Sequence, residues 1–150
     1  MMCPPRALRL CSALLASVIL CWSASVHAKT QTFSEQSDDA IDQYILCANK
    51  TDGFDRNDVM CTQDELNRQA KILDQAYRAY LERIDARQRR LLMRSQHAWK
   101  EDKDRTCHVG QFLEQELPGT LEIIETKSCL ATEMSGRIRW LEEKYDNKQR

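Results

Sequence analysis

The chain has 150 residues, 42% hydrophobic and 30% charged, with 22 basic residues against 23 acidic ones and a net charge of −1. That length suits a single domain, and 4 Gly with 3 Pro are too few for a collagen-like or low-complexity chain. The balanced charge argues against a nucleic-acid binder, and the wealth of Leu, Ala, Glu, Lys, Arg and Gln favours helix.

Residues 1–28 read as a secretory signal peptide. Arg6 and Arg9 supply the positive start, and Leu10 to Trp22 is an uncharged, mainly apolar run. It is too short for a comfortable transmembrane span. Val26 and Ala28 match an A-x-A-like site, so cleavage is expected after Ala28. The destination would be periplasmic or secreted, with no stable membrane anchor afterwards. A lipid-attachment site at Cys21 is disfavoured because bulky Leu20 precedes it. Cleavage removes two arginines and no acid, leaving 20 basic and 23 acidic residues and a net charge of −3. Cys47, Cys61, Cys107 and Cys129 remain. Four cysteines in an exported chain argue for two disulfides rather than zinc, since none forms a close C-x-x-C pair.

Residues 29–37 are polar and aperiodic and are expected to form a flexible start to a helical domain over 38–146. A first helix is predicted from about Asp38 to Lys50, with Ile41, Tyr44, Ile45 and Ala48 on one face and Ser37 or Asp38 as its cap. Asp52-Gly53 marks a turn. The second helix carries Leu66, Ala70, Leu73, Tyr77, Tyr80 and Ile84 at alternating spacings of four and three, and reverses near Asp85. Glu65, Arg68, Lys71 and Asp74 are assigned to its polar faces. A third helix runs from about Ala86 to Cys107, anchored by Leu91, Leu92, Ala98 and Trp99. Lys103 shares a stripe with Trp99 and Cys107, so its head either reaches water at the rim or pairs with Asp104 or Asp74.

Residues 108–119 form a connection ending in Leu117-Pro118-Gly119. Thr120 can then cap a fourth helix through about Tyr145. Its stripe is Leu121, Ile124, Ser128, Ala131, Met134, Ile138, Leu141 and Tyr145, and residues 147–150 should fray. Short connections between antiparallel helices give an all-α, up-and-down bundle of about four helices. Neighbour pairing, Cys47 with Cys61 and Cys107 with Cys129, is the favoured connectivity. Each bridge would contribute roughly 3 kcal/mol in the chain-entropy model. Cys61 with Cys107 also suits an antiparallel hairpin and stays open.

Catalytic templates fail for lack of parts. His97 and His108 belong to no readable triad. His97 and Glu101 share one helical face but lack a third metal ligand. The pairs Glu114/Glu116 and Glu122/Glu125 have the composition of a glycosidase dyad but are ordinary in so charged a chain. No phosphate-binding glycine motif is present. Neither enzymatic activity nor a cofactor or metal is expected.

Five blocks in order carry a family resemblance. Cys61 is followed by Leu73-Asp74-Gln75-Ala76-Tyr77, then Gln96-His97-Ala98-Trp99, then Lys103-Asp104-Arg105-Thr106-Cys107. Gly119-Thr120 precedes the last helix, which holds Cys129, Arg137 and Leu141. From about Cys47 to Leu141 the chain resembles the lysozyme-inhibitor LprI-like N-terminal domain family of exported bacterial proteins. It departs from that pattern with Asp74 for Asn, Lys103 for Arg and Met134 for Thr. A Lys cannot reproduce the two-pronged bond of an Arg to a carboxylate. Trp99 and Tyr77 are expected as core anchors, with the Tyr77 hydroxyl bonded to a buried acceptor. Lys103, Asp104, Asp74 and Arg137 are expected as a polar cluster tying three helices.

The resemblance implies a protein partner, a lysozyme-type muramidase; the 108–119 connection, the longest in the chain and bearing Glu114 and Glu116, is the candidate contact. A different reading is an envelope interaction module, immunity-like or stress-related, with another protein partner and no lysozyme inhibition.

Overall fold

The computed structural model describes residues 31–51, 56–110 and 119–145. Four helices account for nearly all of them: α1 (Phe33–Ala48), α2 (Arg56–Arg83), α3 (Ala86–Thr106) and α4 (Thr120–Tyr145). The described residues form an all-α bundle without strands, and none of these helices is long and apolar enough to cross a membrane. The signal peptide, the Asp52-Gly53 turn, Leu117-Pro118 with Glu114 and Glu116, and the 147–150 tail lie outside the described residues.

α1 starts at Phe33, ahead of the Asp38 that its periodicity suggests, so residues 33–37 are helix rather than flexible lead-in. Thr32 and Glu35 make a capping box. The Thr32 hydroxyl accepts from the Glu35 backbone N–H (3.1 Å), and the Thr32 N–H donates to Glu35 Oε2 (2.8 Å). The Phe33 N–H donates to Glu142 Oε1 of α4 (2.7 Å), so an otherwise orphaned helix-end donor ties two helices together. Ser37, a candidate cap, is instead fully buried in the second turn.

The turn between α2 and α3 is set by local chemistry. Asp85 Oδ1 accepts from the Arg87 and Gln88 backbone N–H groups, both at 2.8 Å. Arg89 Nε donates back to the Leu81 carbonyl (3.1 Å), covering a carbonyl at the end of α2. α3 closes in a Schellman turn, with Val109 N bonded to the Asp104 carbonyl (2.9 Å) and His108 N to that of Arg105 (3.3 Å). His108 takes the left-handed position, φ 56°, where glycine is usual. At the start of α4, the Gly119 N–H donates to Glu122 Oε2 (2.9 Å).

α2 and α4 run parallel and share the most extensive packing, while α1 lies antiparallel against both. α3 joins chiefly α4, across a layer of large side chains rather than by close backbone approach. The apolar core is Ala40, Ile72, Leu73, Ala76, Tyr80, Leu92, Ile138, Leu141 and Tyr145. It fills the half of the bundle that holds the start of α1 and the ends of α2 and α4. There Phe33, Tyr80, Tyr145 and Trp140 meet ring to ring at centroid separations of 6.0 to 6.1 Å. The opposite end is stapled by two disulfides, Cys47–Cys61 and Cys107–Cys129, with Cα separations of 5.8 and 5.6 Å.

Two expected stripes turn out rotated. On α2 the buried line is Thr62, Glu65, Gln69, Ile72, Leu73, Ala76 and Tyr80; Ala70 is exposed and Leu66 only half-buried. On α3 it is Leu92, Gln96 and Lys103, leaving Leu91 and Ala98 exposed. On α4 Leu121 is exposed while Ser135 and Arg137 are buried. Ser37, Glu65, Gln69 and Ser135 occupy core positions because they bond to one another, as do Gln96 and Arg137, while Lys103 pairs with exposed Asp104.

Candidate functional site

Three features could carry function: a buried polar network beside a cavity, a cation–aromatic ladder, and the surface of the disulfide-stapled end. The first joins α1, α2 and α4. Ser37 Oγ donates to Gln69 Oε1 (2.7 Å) and lies 2.9 Å from Ser135 Oγ. Gln69 Nε2 donates to the Ser37 carbonyl (2.9 Å) and to Glu65 Oε1 (2.8 Å), and Arg68 Nη2 reaches Glu65 Oε2 at 3.4 Å. A bonded set of this kind fixes three helices in one register, since any slip leaves a buried polar group unpaired. Beside it lies a cavity of about 310 Å³ lined by Ile41, Tyr44, Thr62, Glu65, Ser135 and Arg139, among others. That is the lower edge of small-molecule sites. Arg139, at the surface, pairs with Asp38 (2.5 Å).

The ladder holds α3 to α4. The Arg137 guanidinium carbon stands 3.9 Å from the Trp140 ring centroid and 5.6 Å from that of Trp99. Lys144 Nζ lies 4.4 Å from Trp140, and Lys103 Nζ 5.9 Å from Trp99. Cations and indoles thus alternate, Lys144, Trp140, Arg137, Trp99, Lys103, each cation facing the negative face of a ring. Arg137 Nε donates to Gln96 Oε1 and Nη2 to Ser95 Oγ, both at 3.0 Å. Burial lowers the Arg137 pKa from its ordinary value, partly opposed by Tyr145 and Tyr77. Burial likewise raises the Tyr77 and Tyr145 phenols, with Arg137 opposing.

The expected four-residue polar cluster does not form. Lys103 is buried and pairs with Asp104, its neighbour in sequence. Asp74 instead faces solvent and pairs with Arg78 one turn on (3.0 Å). Arg137 takes neutral partners from α3. Tyr77 packs against the core, but its hydroxyl makes no hydrogen bond among the described residues. Leu73 and Leu141 are core residues, Gln96 is the acceptor for Arg137, and Gly119 precedes α4. His97 Nδ1 and Glu101 Oε1 are 3.5 Å apart on an exposed face, and no group of three metal-ligating side chains occurs among the described residues. Sequence reasoning missed Ser37, Glu65, Gln69, Ser135 and Trp140. The i, i+3 spacing of Arg137 and Trp140 with Lys144 one turn on was the available signal for the last.

The third feature is a surface. Five of the seven large apolar side chains exposed among the described residues sit at the disulfide end: Ile45, Leu46, Met60, Val109 and Leu121. Leu46 is 62% exposed and Met60 58%. They come from the end of α1, the start of α2 and the two flanks of the 111–118 connection. The Cys47–Cys61 bridge ties the end of α1 to the second turn of α2, and Cys107–Cys129 ties the C-cap of α3 to the third turn of α4. Glu122 and Glu125, close in sequence to Leu121 at the start of α4, are exposed as well. Exposed apolar groups close to charged ones are what a protein-binding surface requires.

The sequence model of the family described as lysozyme inhibitor LprI matches residues 47–141, the span from the first disulfide cysteine to the last core leucine. The chain belongs to that family. No curated protein and no solved structure matches it.

Proposed function

We propose that this member of the lysozyme inhibitor LprI family is exported, loses residues 1–28, and binds a lysozyme-type muramidase with its disulfide-stapled end so as to cover the enzyme's cleft. The observation that carries the reading is the concentration of exposed Ile45, Leu46, Met60, Val109 and Leu121 on that end of a chain whose family is named for lysozyme inhibition. The apolar side chains supply the desolvated centre of the contact. Glu114 and Glu116, in the connection between Val109 and Gly119, together with Glu122 and Glu125, supply an acidic rim. A mature charge of −3 complements a basic enzyme and mainly speeds encounter. No catalytic step is assigned to the chain; inhibition is steric.

The test is a cell-wall lysis assay in which the oxidised protein is titrated against a c-type lysozyme at low and physiological salt. Dose-dependent protection is expected, weakened by about tenfold or more by Leu46→Ser with Met60→Ser, a loss typical of central interface residues. Glu114→Gln with Glu116→Gln should lower the association rate and its salt dependence. Unchanged lysis at a large molar excess of inhibitor would refute the proposal.

A further inference from the structure

The outward face of α3, opposite the buried Leu92, Gln96 and Lys103, belongs to neither the fold nor the proposed inhibitory end. Its exposed residues Arg87, Arg90, Arg94, His97, Glu101 and Asp104 follow one another at intervals of three, four, three, four and three. That is the seam spacing of a helix that pairs with another helix. The stripe changes sign halfway: three arginines lie in its first half and two carboxylates in its second. Arg87, Arg90 and Arg94 have no carboxylate partner among the described residues. Glu101 and Asp104 are 68% and 52% exposed, with only neighbours on their own helix.

We propose that this stripe is the contact between two copies of the chain, packed α3 against α3 in antiparallel orientation about a twofold axis level with the Ser95–Gln96 peptide. In that register Arg87 meets Asp104 of the second copy, Arg90 meets Glu101, and Arg94 meets His97, each contact occurring twice by symmetry. Leu91 and Met93, 49% and 54% exposed, flank the seam and add apolar area. A uniformly anionic surface, lipid or polymer, would satisfy the arginines and repel Glu101 and Asp104. A second copy reversed end for end suits both halves.

The helix dipole points the same way. α1, α2 and α4 each place an acid within the first turn, whereas α3 has its one acid, Asp85, at the cap and carries arginines near its start. Positive charge is disfavoured at that end of an isolated helix. The carboxylates of the reversed partner would offset it. One helix face about 27 Å long gives a contact at the small end of specific interfaces, so association is weak and salt-sensitive.

The experiment is sedimentation velocity of the oxidised protein over a concentration series at low and high salt, with helicity checked by circular dichroism. A concentration-dependent dimer is expected at low salt, weakened about tenfold or more at high salt. Arg90→Glu and Glu101→Arg should each weaken it by about tenfold or more, and an equimolar mixture of the two variants should restore association to within about threefold. In the mixture, the reversed charge at position 90 of one chain faces the reversed charge at position 101 of the other. The unaltered Glu101 of the first chain likewise faces the unaltered Arg90 of the second, so every pair is again of opposite sign. A protein that stays monomeric at all concentrations and low salt overturns the proposal. So does a dimer indifferent to either reversal, or a mixture that fails to recover. If the arginines serve an acidic protein or an anionic lipid surface instead, the protein alone stays monomeric at low salt, which is the first of these refuting outcomes.

Discussion

Arg137 is the sharpest place to test the physics of this fold, because it is a buried cation whose close bonded partners are neutral. It is 7% exposed, donates to Gln96 and Ser95, and lies between two indoles. Substitution by Lys keeps the charge but loses the fork, since an ammonium is compact and strongly hydrated. The carbonyl of Gln96, itself 7% exposed, is then left short of a donor. An unsatisfied buried group costs about 1–3 kcal/mol, and the weaker fit between the rings adds to it, so Arg137→Lys should cost roughly 2–3 kcal/mol. Substitution by Met also strands Gln96, but it removes the burden of a desolvated charge and places a polarizable thioether against both indoles. Its cost should be smaller, about 1–2 kcal/mol. The conservative change is therefore expected to be the worse one. Urea unfolding followed by tryptophan fluorescence reads this directly, as Trp99 and Trp140 both line the site. Each kcal/mol should also move Tm by about 4 °C. An Arg137→Lys variant more stable than Arg137→Met, or either within about 0.5 kcal/mol of the parent, would refute the account of Arg137 as a charge held by neutral groups.

Removing one staple by Cys107→Ser with Cys129→Ser opens a loop of 22 residues. This should cost about 3 kcal/mol in the chain-entropy model, measured by the same urea titration. His108→Gly should raise stability by up to about 1 kcal/mol, because glycine holds the left-handed φ of 56° without strain; a loss of stability would mean that the imidazole makes a compensating contact. Alkaline pH should destabilise the fold. The Tyr77 and Tyr145 phenols have raised folded pKa values, chiefly from burial. Their stabilising effect is therefore full below the unfolded phenol value near 10 and is lost as pH rises through the folded values. Urea midpoints between about pH 9 and pH 11 should fall, and fall less in Tyr77→Phe; a flat profile would contradict the burial assignment.

Much of the fold was legible in the chain because it depends on local signals. Helix number, the Asp85 reversal and the bounds of α3 and α4 follow from periodicity, capping residues and sparse breakers. The Thr32-x-x-Glu35 capping box was also present in the sequence, though a polar, aperiodic surrounding hid it. Helix rotation was less legible. Hydropathy places Glu65 and Gln69 on the outside of α2, yet both are buried because Ser37 and Ser135 bring them partners from α1 and α4. Likewise the family blocks marked Asp74, Lys103 and Arg137 as important without saying that Arg137 would choose Gln96 and two tryptophans over a carboxylate. Which polar groups meet across helices is a tertiary fact, and one-dimensional spacing carries little of it.

The two ends of the bundle solve different problems, and the division explains where the staples lie. At one end Phe33, Tyr80, Trp140 and Tyr145 pack with Leu92, Ile138 and Leu141, so apolar burial is the main force holding the helices there. At the other, the interior thins to a polar network and a cavity, while Ile45, Leu46, Met60, Val109 and Leu121 point outward. Side chains turned toward solvent contribute little to the stability of the free protein, so the helices that carry them need another restraint. Both disulfides sit at this end, where they restrict the unfolded chain and fix the helix ends without occupying the exposed surface. On this reasoning, cutting the disulfides should abolish inhibition while the aromatic end keeps much of its helicity. Reduction monitored in parallel by circular dichroism and by lysozyme protection would separate the two. Coincident loss of both signals would mean that the ends fold as one unit and that the staples serve general stability.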